Sequence, residues 1–184
     1  IDVKHFPHLG DDIIIETFPT EPKRLKQNRL YVIYNSKNEV LVDGVSEWCL
    51  YDINLKKLKR FDELKSYFMD SMEFNKSYDG CTYTRFNMDV LDEDFCYEYE
   101  SRACDIDMNL HTNNVSYGRM IMNSFNCNYL SKNKLKSFEI KFINQSFESD
   151  VIRIFKKYID KDSFYIVGKS KENDNKIFES MVKF

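Results

Sequence analysis

The densest chemistry in the chain lies in residues 105–117, DIDMNLHTNNVSY, where two carboxylates, three carboxamides and an imidazole precede an amphipathic run. Asp105, Asp107, Asn109 and His111 fall on alternate positions, so an extended segment would turn all four side chains to one face. Such a face can orient a water, move a proton and hold a polarised carbonyl. Imidazoles ordinarily titrate near neutrality, which makes His111 a candidate general base. Thr112, Asn113 and Asn114 supply N-cap chemistry, and Val115, Tyr117, Ile121, Met122 and Phe125 recur at helical spacing, predicting a helix that runs to about Cys127. A helix start therefore lies beside the imidazole. Its free N–H groups and the positive end of its dipole favour an oxygen that becomes negative during reaction.

Other chemistries fit less well. Asp105, Asp107 and Asn109 match the opening of a calcium loop, but Leu110 stands where that loop needs Gly and Ser116 where it needs an acid. Cys104 with His111 raises a thiol nucleophile, against which cysteines beside strand ends tend to be buried and inert. His5 and His8, with no acidic partner at useful spacing, read as surface residues.

The elements that must position the motif are mostly strands. Phe95 to Cys104 reads as a strand leading into it, and Leu135–Ile143, Asp150–Tyr158, Ser163–Lys169 and Lys176–Phe184 read as four more after the helix. Upstream, Ile13–Phe18, Arg29–Tyr34 and Val40–Tyr51 are rich in β-branched and aromatic residues, with a hairpin turn at Asn35-Ser36-Lys37-Asn38. Between these groups the pattern loosens, with a short helix expected over Asp62 to Asp70 and a turn at Tyr78 to Gly80. The division expected is residues 1–60, a connection over 61–94, and residues 95–184. An internal repeat supports a duplicated chain: Gly10-Asp11-Asp12-Ile13-Ile14-Ile15 parallels Ser149-Asp150-Val151-Ile152-Arg153-Ile154, and Leu30-Tyr31-Val32-Ile33 parallels Phe164-Tyr165-Ile166-Val167. The second copy has a strand and a long helix ahead of its sheet, and the first has only Ile1 to Leu9. The chain also lacks an initiator methionine, so it reads as beginning mid-protein.

Totals narrow the class. At 184 residues with 42% hydrophobic content the chain can bury a real core, and no apolar run approaches the ~20 residues of a membrane span. A net charge of −3 with both signs interspersed gives no reason to expect nucleic-acid binding. Five cysteines without a close-spaced pair fit reduced, cytoplasmic thiols.

The order Asp-x-Asp-Met-Asn-x-His-x-Asn-Asn-Val-x-Tyr resembles the signature of the acyl-acyl carrier protein thioesterases, and Phe6-Pro7-x-x-Gly10-Asp11 through Thr17, Arg29, Trp48 and Asp52 resembles the first domain of that family. The resemblance implies an α+β chain of tandem hotdog domains, each a long helix wrapped by an antiparallel sheet, here with the first domain lacking its N-terminal strand and helix. It implies hydrolysis of fatty acyl-acyl carrier protein to free fatty acid, ending chain elongation, with water as second substrate and neither metal nor organic cofactor. By resemblance Asp107, Asn109 and His111 are the functional positions: Asn109 and His111 position substrate and water, and Asp107 orients its neighbours. Backbone N–H groups near Asn113 and Asn114 would bind the oxyanion. Trp48 reads first as core, but the first domain is expected to line the acyl pocket, making Trp48 a candidate contact.

One departure matters. Phe142-Ile143-Asn144-Gln145-Ser146 aligns with a family segment that usually carries glutamate, followed in plant enzymes by cysteine. Gln145 cannot act as a base, though an amide can hold a water, leaving His111 or Asp107 as base. Glu148 is a weaker substitute, since a shift of three reverses its face on a strand. The alternatives are a thioesterase of coenzyme A esters and a non-catalytic acyl-binding protein. Carrier docking is expected on Lys132, Lys134 and Lys136, because acyl carrier proteins are acidic. A second basic cluster, Lys23, Arg24, Lys26 and Arg29, reads as a solvated loop or a docking patch. Homo-oligomerisation stays open.

Overall fold

β-branched and aromatic residues dominate the two stretches that become sheets, and in both the chain runs as successive antiparallel hairpins. A computed structural model describes residues 1–64, 86 and 88–184. They fall in two units, Ile1–Tyr83 and Thr84–Phe184.

In the first unit, β1 (Asp2–Val3), β2 (Ile13–Pro19), β3 (Gln27–Asn35) and β4 (Val40–Trp48) pair antiparallel in the order β2-β3-β4-β1. Alternation along β3 buries Leu30 and Val32 and leaves their neighbours half-buried. The expected hairpin turn forms because Asn35 Oδ1 accepts the N–H groups of Lys37 and Glu39, while Asn38 takes the left-handed φ of 61° that asparagine tolerates. The strand expected through Tyr51 is broken. It stops at Trp48, and β5 (Leu50–Asp52) turns away to pair with β6 (Lys57–Lys59) in a separate hairpin, whose turn is held by Asp52 Oδ1 accepting from Asn54 and Leu55. Of the short helix expected over Asp62 to Asp70, a 3-10 turn at Phe61–Leu64 is present; the remainder, and the turn at Tyr78 to Gly80, lie outside the described residues. His8 does have an acidic neighbour: Asp11 Oδ2 lies 3.5 Å from its Nδ1, both exposed.

The second unit contains β7 (Phe95–Glu100), α1 (Asn114–Met122), α2 (Cys127–Lys132), β8 (Ser137–Phe142), β9 (Val151–Asp160), β10 (Ser163–Ser170) and β11 (Lys176–Lys183). Its sheet order is β8-β11-β10-β9-β7, antiparallel throughout. The internal repeat has a topological counterpart: β2-β3-β4 and β9-β10-β11 are each a double hairpin, and the strand preceding each, β1 or β8, lies beside its last strand.

Helix α1 packs its apolar stripe on this sheet. Tyr117, Met120 and Ile121, with Phe125 just beyond the helix, meet Ile152 and Ile154 of β9, Phe164 and Ile166 of β10, and Phe178 and Val182 of β11. The helix ends at Met122, earlier than the spacing predicts. Asparagine and serine compete with the helix through local hydrogen bonds: Ser124 Oγ donates to the Ile121 carbonyl, and Asn126 Oδ1 caps α2 through Tyr129 N–H. Gly168 is required where it stands, because a Cβ there would lie 2.3 Å from the Phe178 ring, which in turn packs at 5.4 Å on Tyr117. On the opposite face of the sheet, Tyr165 and Val167 are covered by Phe86, Met88 and Val90. There the buried Glu179 carboxylate accepts from Tyr165 Oη at 2.6 Å and Lys141 Nζ at 2.8 Å, with Lys176 Nζ at 3.3 Å. Burial pushes this carboxyl up, and those three partners more than offset it, leaving it below the usual range.

Candidate active site

Strand β7 ends at Glu100, and the chain then makes two tight turns before α1. The first is a 3-10 turn, Ala103–Asp105. Asp105 is buried, its carboxylate accepting from the Arg102 N–H at 3.0 Å and from the Tyr99 hydroxyl at 2.9 Å, with the Arg119 guanidinium at 3.4 Å. Burial raises its carboxyl, but the Arg102 N–H, Tyr99, Ser116 and Arg119 outweigh that and hold it below the ordinary carboxylate range. Asp105 therefore anchors the start of α1 to the end of β7, and its carbonyl accepts the Asn113 N–H at 2.7 Å.

The second turn displays the imidazole. Asp107 N–H donates to the His111 carbonyl at 2.8 Å, Leu110 N–H donates to the Asp107 carbonyl at 3.0 Å, and Leu110 sits at a left-handed φ of 64°. Asp107 Oδ1 accepts from the N–H groups of Asn109 at 2.8 Å and His111 at 3.3 Å. The extended segment with four side chains on one face is thus overturned: Asp107 caps its own turn, a local geometry open to aspartate and not visible in alternation. The Asn109 N–H first, then that of His111, holds the Asp107 carboxyl below its ordinary range. It is an anion at neutral pH, suited to positioning and a weak proton acceptor.

The helix start follows. Asn113 is the N-cap, its Oδ1 accepting the Val115 N–H at 2.9 Å. Its own N–H is engaged by Asp105, whereas the Asn114 N–H, the first of the helix, has no acceptor among the described residues. Asn109, Asn113 and Asn114 are exposed and His111 is half-buried.

Gln145 lies in the loop between β8 and β9, and that loop meets the motif. Thr112 N–H donates to the Ser146 carbonyl at 2.8 Å, and the Phe147 ring stands edge-on to the His111 ring at 5.3 Å. Ser146 is completely buried, with Gln145 and Phe147 on either side exposed. Gln145 and Phe147 are thus the exposed residues that flank the buried Ser146. Glu148 is exposed in the same loop. Trp48 is exposed in the first unit, its Nε1 donating to Ser46 Oγ. Beside the exposed asparagines, Met108, Leu110 and Val115 of the motif and Phe147 of the facing loop are exposed apolar side chains. Sequence reasoning missed the anchoring by Asp105, Tyr99 and Arg119, and missed the burial of Ser146; both join residues from separate elements. Among the described residues, no group of three His, Cys, Asp or Glu is placed to hold a metal ion, and no helix is long and apolar enough to cross a membrane.

Compared with known families, residues 88–182 match the acyl-ACP thioesterase C-terminal domain and residues 1–66 the acyl-ACP thioesterase N-terminal domain. The chain belongs to the acyl-ACP thioesterase family. It is accordingly a thioester hydrolase, and its reaction is the release of fatty acid from fatty acyl-acyl carrier protein. No curated protein matches it in sequence. Among solved structures, the acyl-ACP thioesterase from Bacteroides thetaiotaomicron is 16% identical with a TM-score of 0.83, over 100% of this chain and 72% of that one. The 12:0-ACP thioesterase from Umbellularia californica is also 16% identical, with a TM-score of 0.84, over 99% of this chain and 71% of that one. At such identity the likeness establishes the fold, a mostly antiparallel, hotdog-like sheet with few helices.

Proposed function

We propose that thioester hydrolysis takes place at the start of α1, with His111 as general base and Gln145 holding the water it activates. The observation that carries this reading is the meeting of the Gln145 loop with the motif, through the Thr112 to Ser146 hydrogen bond and the Phe147 to His111 ring contact. The thioester carbonyl oxygen accepts the Asn114 N–H and lies at the positive end of the helix, where developing negative charge is favoured. The Asn109 carboxamide orients the substrate. His111 removes a proton from the water as its oxygen attacks the carbonyl carbon, giving a tetrahedral oxyanion; the C–S bond then breaks and the imidazolium returns the proton to the leaving thiolate. Asp107 keeps the turn closed and so aims Asn109 and His111.

The finer organisation belongs to the same proposal. The shared strand order of the two units and the separate N- and C-terminal family matches support tandem hotdog domains. The chemistry is then in the second, and the exposed apolar side chains around His111 begin the path of the acyl chain. Trp48, exposed in the first unit, is a candidate contact for the acyl chain. Lys132, Lys134 and Lys136, all exposed, receive the acidic carrier in a cytoplasmic setting.

A second reading, a non-catalytic acyl-binding protein, is favoured by one observation, the amide at Gln145 where a carboxylate would assist the base. Release of free thiol from a series of acyl-acyl carrier protein esters decides between them. The hydrolase reading expects turnover that His111→Ala lowers by ~100-fold or more and that Gln145→Glu raises. Absence of turnover with retained acyl binding selects the second reading. The same acyl groups on coenzyme A measure carrier preference.

A further inference from the structure

Behind His111, four hydroxyl groups form a buried chain. Tyr117 Oη and Ser146 Oγ are hydrogen bonded at 2.8 Å, Ser146 Oγ donates to Thr112 Oγ1 at 2.8 Å, and Thr112 Oγ1 donates to Ser101 Oγ at 3.2 Å. Each of the four residues is at most 4% exposed. A hydroxyl carries one proton, so Ser146, donating to Thr112, accepts from Tyr117; every member from Ser146 to Thr112 donates once and accepts once. The chain joins α1, the motif, the end of β7 and the Gln145 loop. The loop is also tied at both ends: Ile143 and Asn144 donate to the Ile177 carbonyl, and Ser101 exchanges backbone hydrogen bonds with Ser149 and Asp150.

We infer that Ser146 is a positioning residue for the hydrolysis, holding Gln145 in register with His111, and not a nucleophile. Its carbonyl takes the N–H of the residue after His111, and its hydroxyl bridges that same residue to the core helix. A side chain completely enclosed, with its proton donated and a lone pair filled, offers no path to an acyl carbon. What it supplies is the registration of its neighbour. A shift of an ångström in a water-holding group is worth about 10- to 100-fold in rate.

The inference rests on the reading of Gln145 as the water-holding group, and the test separates the two. Ser146→Ala and Thr112→Val are expected to lower kcat by about 10-fold or more with KM within about twofold, and Ser146→Cys to fall between wild type and Ser146→Ala. Because Ser146 acts through its neighbour, Ser146→Ala combined with Gln145→Ala should be no slower than Gln145→Ala alone. Independent, multiplying losses in the double variant would overturn the inference, as would an acyl adduct on Ser146 found by mass spectrometry of quenched reactions. Ser146→Cys serves in the same cycle should Ser146→Ala not fold. If the wild-type chain releases no thiol from any ester, the hydrolase reading has failed and the inference is judged without turnover, by 15N relaxation of the Gln145 side-chain amide. An amide ordered in wild type and mobile in Ser146→Ala upholds the clamp; equal mobility in both overturns it.

Discussion

Thr112 and Ser146 are joined twice, by the Thr112 N–H on the Ser146 carbonyl and by the Ser146 hydroxyl on Thr112 Oγ1, both at 2.8 Å. Thr112 follows His111 and Ser146 follows Gln145. The buried residues next to them thus tie together the two stretches of chain that carry His111 and Gln145.

Asp105 makes stability depend on pH. Its carboxyl lies below the ordinary range when folded, so its contribution is full above the unfolded pKa of ~3.9 and is lost as pH falls through the folded value. Urea unfolding from pH 7 down to pH 2 should show wild type losing stability on acidification more steeply than Asp105→Asn. Parallel curves would remove Asp105 as a source of the acid sensitivity.

The cap of α1 is separable from the turn before it. Asn113→Ala deletes the acceptor for Val115 N–H and should cost about 1 kcal/mol, while Asn113→Asp, which keeps an acceptor oxygen, should cost little. At the turn, Asp107→Asn keeps Oδ1 and should retain most activity, whereas Asp107→Ala releases the N–H groups of Asn109 and His111 and should lower kcat by about 10-fold or more. Chemical unfolding and steady-state kinetics read the two effects.

Gly168→Ala would drive a methyl group into the Phe178 ring and should destabilise by about 1–3 kcal/mol. Shrinking the ring's partner tests the mechanism: Gly168→Ala with Phe178→Leu should be less unstable than the two single losses added together, as measured by thermal unfolding in a double-mutant cycle.

Charge reversal of Lys132, Lys134 and Lys136 should raise KM for acyl-acyl carrier protein and flatten its dependence on salt, leaving kcat and the KM for small thioesters unchanged. An unchanged salt profile would move carrier docking elsewhere, with the cluster at Lys23, Arg24, Lys26 and Arg29 next to be tested.

Much was determined by local sequence. Alternation is sufficient for β3 and β9, where one face is buried, and a dense run of branched and aromatic residues is sufficient for β10 and β11, which are buried on both faces. Asn113 ahead of an apolar run at helical spacing is sufficient for the start of α1, since the cap is a contact between residues two apart. The motif, the internal repeat and the family resemblance were legible for the same reason: each is written in neighbouring residues or in a recurrence of them. The tertiary structure decided what burial and long-range pairing control. It put the Asp105 carboxylate among Tyr99, Arg102 and Arg119, and enclosed Ser146 between Tyr117 and Thr112. Hydrogen bonds that join separate elements leave no period in the chain, and whether an aspartate or serine faces water or core depends on which strands close over it.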